Sequence, residues 1–325
     1  MDTSKKICFG FLAPPVQKIY QVFLLIKSLR RLDDPYSENP FIMIIPDQWK
    51  KKYSVYIPQI EKLNVRILYL KIHDGLLNFP FGAKVMAAEL AESHCEKEFQ
   101  LIAWMDSPSP FVHDVKQIIL EPQKFIGYRP VDKTIIASRF DGPIDEFWSM
   151  IYQKCHVGQA ALYKMVSTVD QDPIRPYVNA GFLVLRPDLR LMRMWSENFS
   201  RIYYSAEAEQ CYRKDYRYKI FIHQAVLAAT IITIASQTMI KEFPSPVNYA
   251  LHLHNDYPID LKAKKLEDII FLRYEDIFEK PGWEQFIPMS GENREFISSV
   301  LEEFALSIKS MGKSKNVFSL FGKNK

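Results

Sequence analysis

Within its first 105 residues the chain alternates four times between a short, uninterrupted apolar run and a following stretch, and this alternation constrains the fold more than any other feature. Residues 5–13 read as a strand, after which Val16, Ile19, Tyr20, Phe23, Ile26 and Leu29 recur at helical spacing, with Pro15 suited to a first turn. Asp33, Asp34 and Pro35 end that helix. Residues 41–45 form a second apolar run, 49–63 a polar helix, 65–72 a third strand, 81–95 an alanine-rich helix and 99–105 a fourth strand. Runs that are apolar throughout, rather than alternating, predict strands covered on both faces. Repeated strand–helix units predict the α/β class: a doubly wound, mostly parallel central sheet flanked by helices, in a single large domain.

In sheets of this kind ligands occupy the crevice beyond the carboxyl ends of the strands. Asp47 and Asp106 follow the second and fourth runs and are expected there. The second half is less regular. Residues 134–138 read as a strand, 147–166 as a helix and 177–185 as a strand containing Ala180 and Gly181. Helices are expected over 189–204, 221–235 and 292–308, and no Gly-, Ser- or Pro-rich linker divides the chain.

Bulk properties narrow the function classes. The 325 residues are 48% hydrophobic, ample for a sizeable core, which excludes disorder throughout. The 42 basic residues are nearly balanced by 38 acidic ones, so no overall field argues for nucleic acid. Cys8, Cys95, Cys155 and Cys211 form no CxxC pair, which speaks for reduced, buried thiols and against a disulfide framework or a structural zinc site. The apolar runs at 7–13 and 225–235 are too short for a signal-peptide core and a bilayer span respectively, so a soluble or peripheral, cytoplasmic protein is expected. Residues 309–325 hold Lys309, Lys313, Lys315, Lys323 and Lys325 with no acid, and Val317, Phe318, Leu320 and Phe321 lie among them. That composition suits a flexible basic tail or a weak contact with an anionic membrane surface.

The segment LIAWMDSPSPFV, residues 101–112, resembles the strand and loop that carry the DxD motif in glycosyltransferases of the GT-A fold, the glycogenin-like family 8 above all. The resemblance implies that Asp106 is the first carboxylate of a site where Mn²⁺ or Mg²⁺ holds a donor diphosphate. Pro108 stands where the family has its second acid and offers no side-chain ligand. An Asp after a buried strand also caps turns, and that reading stands beside the first.

Three further segments carry the resemblance. FPFGAKVMAAE, residues 79–89, is similar to the helix whose early basic residue, here Lys84, lies near the diphosphate; an exposed, solvated lysine is the plainer reading. YVNAGFLVL, residues 177–185, resembles the family's Asn-Ala-Gly strand, which implies that Asn179 and Gly181 contact the sugar; a simple bulge at Gly181 is the alternative. HQAVL, residues 223–227, resembles the family's Asp-Gln pair with His223 in place of the acid, leaving Gln224 to orient a hydroxyl. His254, in LHLH at 251–254, stands where family 8 completes its metal site, and on an extended segment it would share a face with His252.

Together these imply a glycosyltransferase domain over residues 1–308, with a nucleotide-binding half at about 1–110 and an acceptor half at about 111–308. The implied reaction moves a sugar from a nucleoside diphosphate sugar to an acceptor, with Lys84, Asp106, Asn179, Gly181 and Gln224 on the donor and Asp106 and His254 on the metal. Pro108 and His223 motivate a second reading, an inactive domain of this fold kept for nucleotide binding or interaction. Signatures of P-loop, dinucleotide-binding, serine-hydrolase and zinc-protease sites are absent from the sequence.

Overall fold

A computed structural model describes residues 6–310. The chain opens with β1 (Ile7–Leu12), α1 (Tyr20–Arg30), β2 (Phe41–Pro46), α2 (Lys50–Tyr53), α3 (Ile57–Glu61), β3 (Val65–Leu70), α4 (Asp74–Leu77), α5 (Gly82–Cys95) and β4 (Leu101–Met105). The four alternations are therefore present. The expected helix over 49–63 is broken in two, because Pro58 starts a new first turn instead of continuing the old one.

After β4 come β5 (Ile126–Pro130), α6 (Glu146–Lys154), β6 (Met165–Val166), β7 (Pro173–Ile174), β8 (Val178–Leu185), α7 (Leu191–Ile202), α8 (Ala206–Lys214) and α9 (Tyr216–Ile234). They are followed by β9 (Ile240–Glu242), β10 (Val247–Ala250), β11 (Phe271–Arg273) and α10 (Gly291–Ser310). No strand forms over 134–138, which holds a single turn closed by the Ala137 N–H on the Thr134 carbonyl; the strand lies earlier, at β5. Gly127 within β5 is required by packing, since a Cβ there would stand 2.5 Å from the Phe243 ring. The helix expected over 147–166 stops at Lys154, just before His156 turns to a φ of 58°. His252 and His254 lie on a 3₁₀ turn, Leu251–Asp256, and not on an extended segment.

Chain contacts divide the molecule into two compact units. The first runs through Leu12 and takes Asn39–Met105 and Ile118–Pro244; the second takes Ala13–Glu38, Asp106–Gln117 and the chain from Ser245 on.

The first unit is built on a seven-stranded sheet of order β3-β2-β1-β4-β8-β5-β9. β3, β2, β1 and β4 are mutually parallel, β8 runs against both β4 and β5, and β9 is parallel to β5. The doubly wound, mostly parallel α/β expectation describes this sheet. All six residues of β2 and all eight of β8 are buried, as continuous apolarity requires. α5 packs closely because it presents Ala87, Ala88 and Ala91; a Cβ on Gly10 of β1 would meet the Ala91 methyl at 3.2 Å. Asp145 and Ser205 cap the first turns of α6 and α8 by accepting from the N–H groups of Trp148 and Ala208. Cys8 of β1 and Cys95 of α5 are joined as a disulfide, which corrects the expectation of four reduced thiols. Cys155 and Cys211 are free and buried.

The second unit contains α1, the parallel pair β10–β11 and α10. Lys27 of α1 pairs with Glu303 of α10, and Tyr20 hydrogen-bonds Glu279. Lys309 and Ser310 end α10; the rest of the basic 309–325 segment lies outside the described residues. No helix among the described residues is long and apolar enough to cross a membrane.

Candidate functional site

Strand directions fix one edge of the sheet in the first unit as the place where candidate residues collect. The chain leaves β3 at the carboxyl edge and must return to begin β4, which is parallel to it through β2 and β1, so the first turn of α5 lies at that edge. β8 is antiparallel to β4 and begins there: Met105, the last residue of β4, pairs with Phe182, so Asn179 projects beyond it. β5 runs against β8, with Pro130 opposite Val178, and therefore ends at the same edge.

Lys84 occupies the first turn of α5 and is only 7% exposed. Its ammonium stands 5.1 Å from the centroid of the Phe81 ring. That ring stacks on His223 of α9, with centroids 4.3 Å apart and planes 23° from parallel. Burial drives the His223 pKa well below its usual value, the nearby Lys84 charge lowers it further, and a hydrogen bond between Nδ1 and the Ile220 carbonyl opposes both. The imidazole is thus neutral and faces a region of positive potential.

Next to His223, Gln224 donates from Nε2 to the Tyr177 hydroxyl at 3.0 Å. Tyr177 precedes β8, and two residues on, Asn179 Oδ1 accepts the N–H of Gly181 at 2.8 Å while its Nδ2 donates to Asp132 Oδ2 at 3.3 Å. Asp132 in turn accepts from Arg129, the two groups being 3.3 Å apart and both buried. Gly181 does lie in an irregular stretch: Phe182 to Leu185 keep an unbroken register with β4, but against β5 the pairing jumps from Tyr128–Leu183 to Pro130–Val178, and within the extra residues of β8 Asn179 Oδ1 accepts the Gly181 N–H.

Four of the candidates, Lys84, Asn179, Gly181 and Gln224, thus lie on one chain of contacts in the first unit. Arg129, Asp132 and Phe81 join this chain of contacts without a mark in the sequence. An arginine and an aspartate separated by three residues within a short polar stretch carry no signal until the strand ends beside β8, and an aromatic before a helix looks like core.

Asp106 and His254 belong to the second unit. The loop after Asp106 is held along its length. Ser107 donates to Gln21 at 3.0 Å, the Phe111 N–H donates to Ser28 Oγ at 2.8 Å, and the Val115 N–H donates to Asp34 at 2.7 Å. The carbonyls of Pro108 and Pro110 accept the N–H groups of Tyr274 and Leu272, both at 3.2 Å. The position where a second acid is expected is thus filled by a proline whose carbonyl serves the backbone of another segment. His254 shares a hydrogen bond between Nδ1 and the Tyr249 hydroxyl at 2.9 Å, and burial, then the charge of Lys262, lower its pKa.

A hard divalent cation takes six or more oxygen ligands, several of them carboxylates where the protein supplies them. Asp106 is the sole acid of residues 101–112, and among the described residues no group of three or more His, Cys, Asp or Glu side chains could hold a metal ion. The residues present do not fit a DxD-type metal site.

The solved structures similar to this chain include the apo form of mouse xyloside xylosyltransferase 1, at 10% identity over 83% of this chain and 97% of that one, with a TM-score of 0.43. They also include the galactosyltransferase LgtC in complex with donor and acceptor sugar analogs, at 13% identity over 90% and 95%, with a TM-score of 0.49. A third is the glycosyltransferase GlyE of Streptococcus pneumoniae TIGR4, at 13% identity over 94% and 64%, with a TM-score of 0.46. No curated protein matches the sequence. The family description Rhodobacterales glycosyltransferase domain matches residues 13–234, well over half of the 325, and the chain therefore belongs to that family of glycosyltransferases.

Proposed function

We propose that this glycosyltransferase takes its sugar from a nucleoside diphosphate donor, and that Lys84, Asn179, Gly181 and Gln224 bind that donor. The observation that carries the reading is the positive potential at the start of α5, where Lys84 stands in the buried first turn of a 14-residue helix and its charge helps hold His223 neutral. A diphosphate is the group such a field favours. The leaving group gains negative charge as the glycosidic bond breaks, so a fixed cation stabilises the transition state more than the ground state.

Asn179 is already oriented by Asp132 and Gly181, so little side-chain freedom is lost when it meets a sugar hydroxyl. Asp106, the first residue past β4, is a donor-binding residue by its place in the sequence. Transfer proceeds without Mn²⁺ or Mg²⁺, because Pro108 removes the second acid. The halves at about 1–110 and 111–308 serve donor and acceptor. The protein works in the cytoplasm, with residues 309–325 contacting anionic lipid; co-sedimentation with phosphatidylserine vesicles, with and without those residues, tests that contact.

Isothermal titration with UDP- and GDP-sugars, with and without Mn²⁺, tests the donor. Binding that is equal in both conditions supports the reading, and no binding to any donor defeats it.

A second reading, a domain of this family that binds nucleotide without transfer, is favoured by His223 at the position of an acid. Binding without transfer or donor hydrolysis would support it, and turnover that collapses in Asp106→Asn would refute it.

A further inference from the structure

Phe81 combines two features that a structural residue has no reason to combine. Its backbone is left-handed, with φ at 58° and ψ at 10°, a conformation that bulky side chains adopt rarely and at a cost, and that glycine adopts freely. The residue is also 43% exposed, although burial is what an aromatic side chain gains from most. A glycine at this position would relieve the backbone and leave nothing apolar in water.

The surrounding residues hold this arrangement in place. Gly82 packs so closely on α4 that a Cβ there would stand 2.3 Å from the Leu76 carbonyl oxygen, and its N–H donates to the Phe79 carbonyl at 3.0 Å. Phe79 is itself fixed edge-on against Phe199 and Tyr203. The near-parallel imidazole of His223 backs the Phe81 ring, so the ring stands as a rigid plate three residues before Lys84. Backbone strain that the neighbours over-determine, together with an exposed aromatic surface, is the pattern of a ligand platform.

We infer that Phe81 is the sugar platform of this enzyme, stacking the apolar C–H face of the donor's pyranose ring against its exposed surface. The choice of ligand follows from Lys84. In a nucleoside diphosphate sugar the pyranose is bonded directly to the distal phosphate, whereas the base is separated from the other phosphate by a ribose. The ring beside a diphosphate-binding lysine is therefore the sugar. Polarised C–H groups are drawn to the electron-rich face of an aromatic ring, and a rigid plate loses little freedom on contact. The inference rests on the proposed role of Lys84, and its test is arranged so that the two can fail separately.

The affinities of UDP, GDP and their sugars are measured by titration calorimetry on the full chain and on Phe81→Gly, Phe81→Leu and Phe81→Tyr. Phe81→Gly relieves the left-handed backbone but gives up the ring's stack on His223, so its melting temperature is measured first and binding is compared well below it. It should bind the nucleotide sugar about tenfold more weakly and the free diphosphate unchanged, with Phe81→Leu intermediate and Phe81→Tyr near the wild type. Equal affinity for the nucleotide sugar in wild type and Phe81→Gly, or an equal loss for sugar and free diphosphate, overturns the platform.

If the wild type binds no nucleotide at all, the donor reading has failed, and the platform is judged by saturation-transfer NMR with methyl hexopyranosides. Contact in the wild type that Phe81→Gly abolishes upholds it. Contact that is absent, or that persists in the variant, overturns it.

Discussion

Asn179 spends both ends of its side-chain amide inside the protein, donating to Asp132 at 3.3 Å and accepting from Gly181 at 2.8 Å, while sitting just past the end of β4 on the sheet's carboxyl edge. Asn179→Asp keeps the shape but turns the donor into an acceptor facing a buried carboxylate. Two acids in contact cannot both ionise cheaply. The variant should lose about 2 kcal/mol of stability at neutral pH and recover part of it on acidification, as read from urea unfolding at pH 5 and pH 8. Unchanged stability at both would show that the Asn179–Asp132 contact is incidental.

Chelation separates the metal readings. With Pro108 in the loop, transfer after exhaustive EDTA treatment should keep its rate, and added Mn²⁺ should not raise it. Asp106→Asn should still lower kcat/KM by about tenfold through a lost charge-assisted hydrogen bond. A chelated enzyme that is dead and rescued by Mn²⁺ would restore the metal to Asp106.

Glu92 gives the protein a distinctive pH dependence. It lies buried in α5 and accepts the N–H groups of Met192 at 3.0 Å and Arg193 at 2.9 Å, in the first turn of α7. Burial pushes its carboxyl up to about 7 against those two hydrogen bonds, with Glu89 and Glu96 adding to the rise. Because the folded-state value is raised above the ordinary 4.5, the contribution to stability is complete below that value and is lost as pH rises through about 7. The expected loss is about 3 kcal/mol between pH 4.5 and 8. His223 acts with the opposite sign below pH 6.5, since it is buried neutral, so the comparison is made with Glu92→Gln: the difference in stability between wild type and variant should move by about 3 kcal/mol against the wild type as pH rises over that range. Parallel curves would contradict it.

Thiol counting tests the pairing of β1 with α5. In denaturant without reductant two thiols should react, those of Cys155 and Cys211, and four after reduction. In the folded protein both should be slow, the Cys155 thiol because burial pushes its pKa up to about 12. Four reactive thiols before reduction would mean that Cys8 and Cys95 are free.

The first half of the fold was legible because its strands are apolar on both faces, which leaves a plain mark in sequence: Phe41–Pro46 and Leu101–Met105 lie where the runs are. β5 was not, because Ile-Gly-Tyr-Arg-Pro owes its burial to Phe243 and to Asp132, partners that only the fold brings near. Of the candidate site, Lys84, Asn179 and Gln224 stand in short motifs on elements that are well marked in sequence. Asp132 and Phe81 do not, since one is identified by a cross-strand neighbour and the other by a backbone angle. The spacing of the two histidines suggested an extended segment, whereas the chain there coils into a 3₁₀ turn with Tyr249 as the partner of His254.

The two compact units change hands along the chain after Leu12, Glu38, Met105, Gln117 and Pro244. Neither can be obtained as one continuous fragment, and during synthesis neither can be completed early. β1 is made first, yet its sheet cannot be finished until β9, which ends at Glu242, has left the ribosome. At about 5 to 20 residues per second that is a wait of roughly ten seconds or more, with apolar strands exposed throughout. α1 waits longer still for α10. A nascent chain with this order of assembly holds apolar strand surface open until β9 is made, and a truncation anywhere before Pro244 should yield aggregate rather than a smaller enzyme.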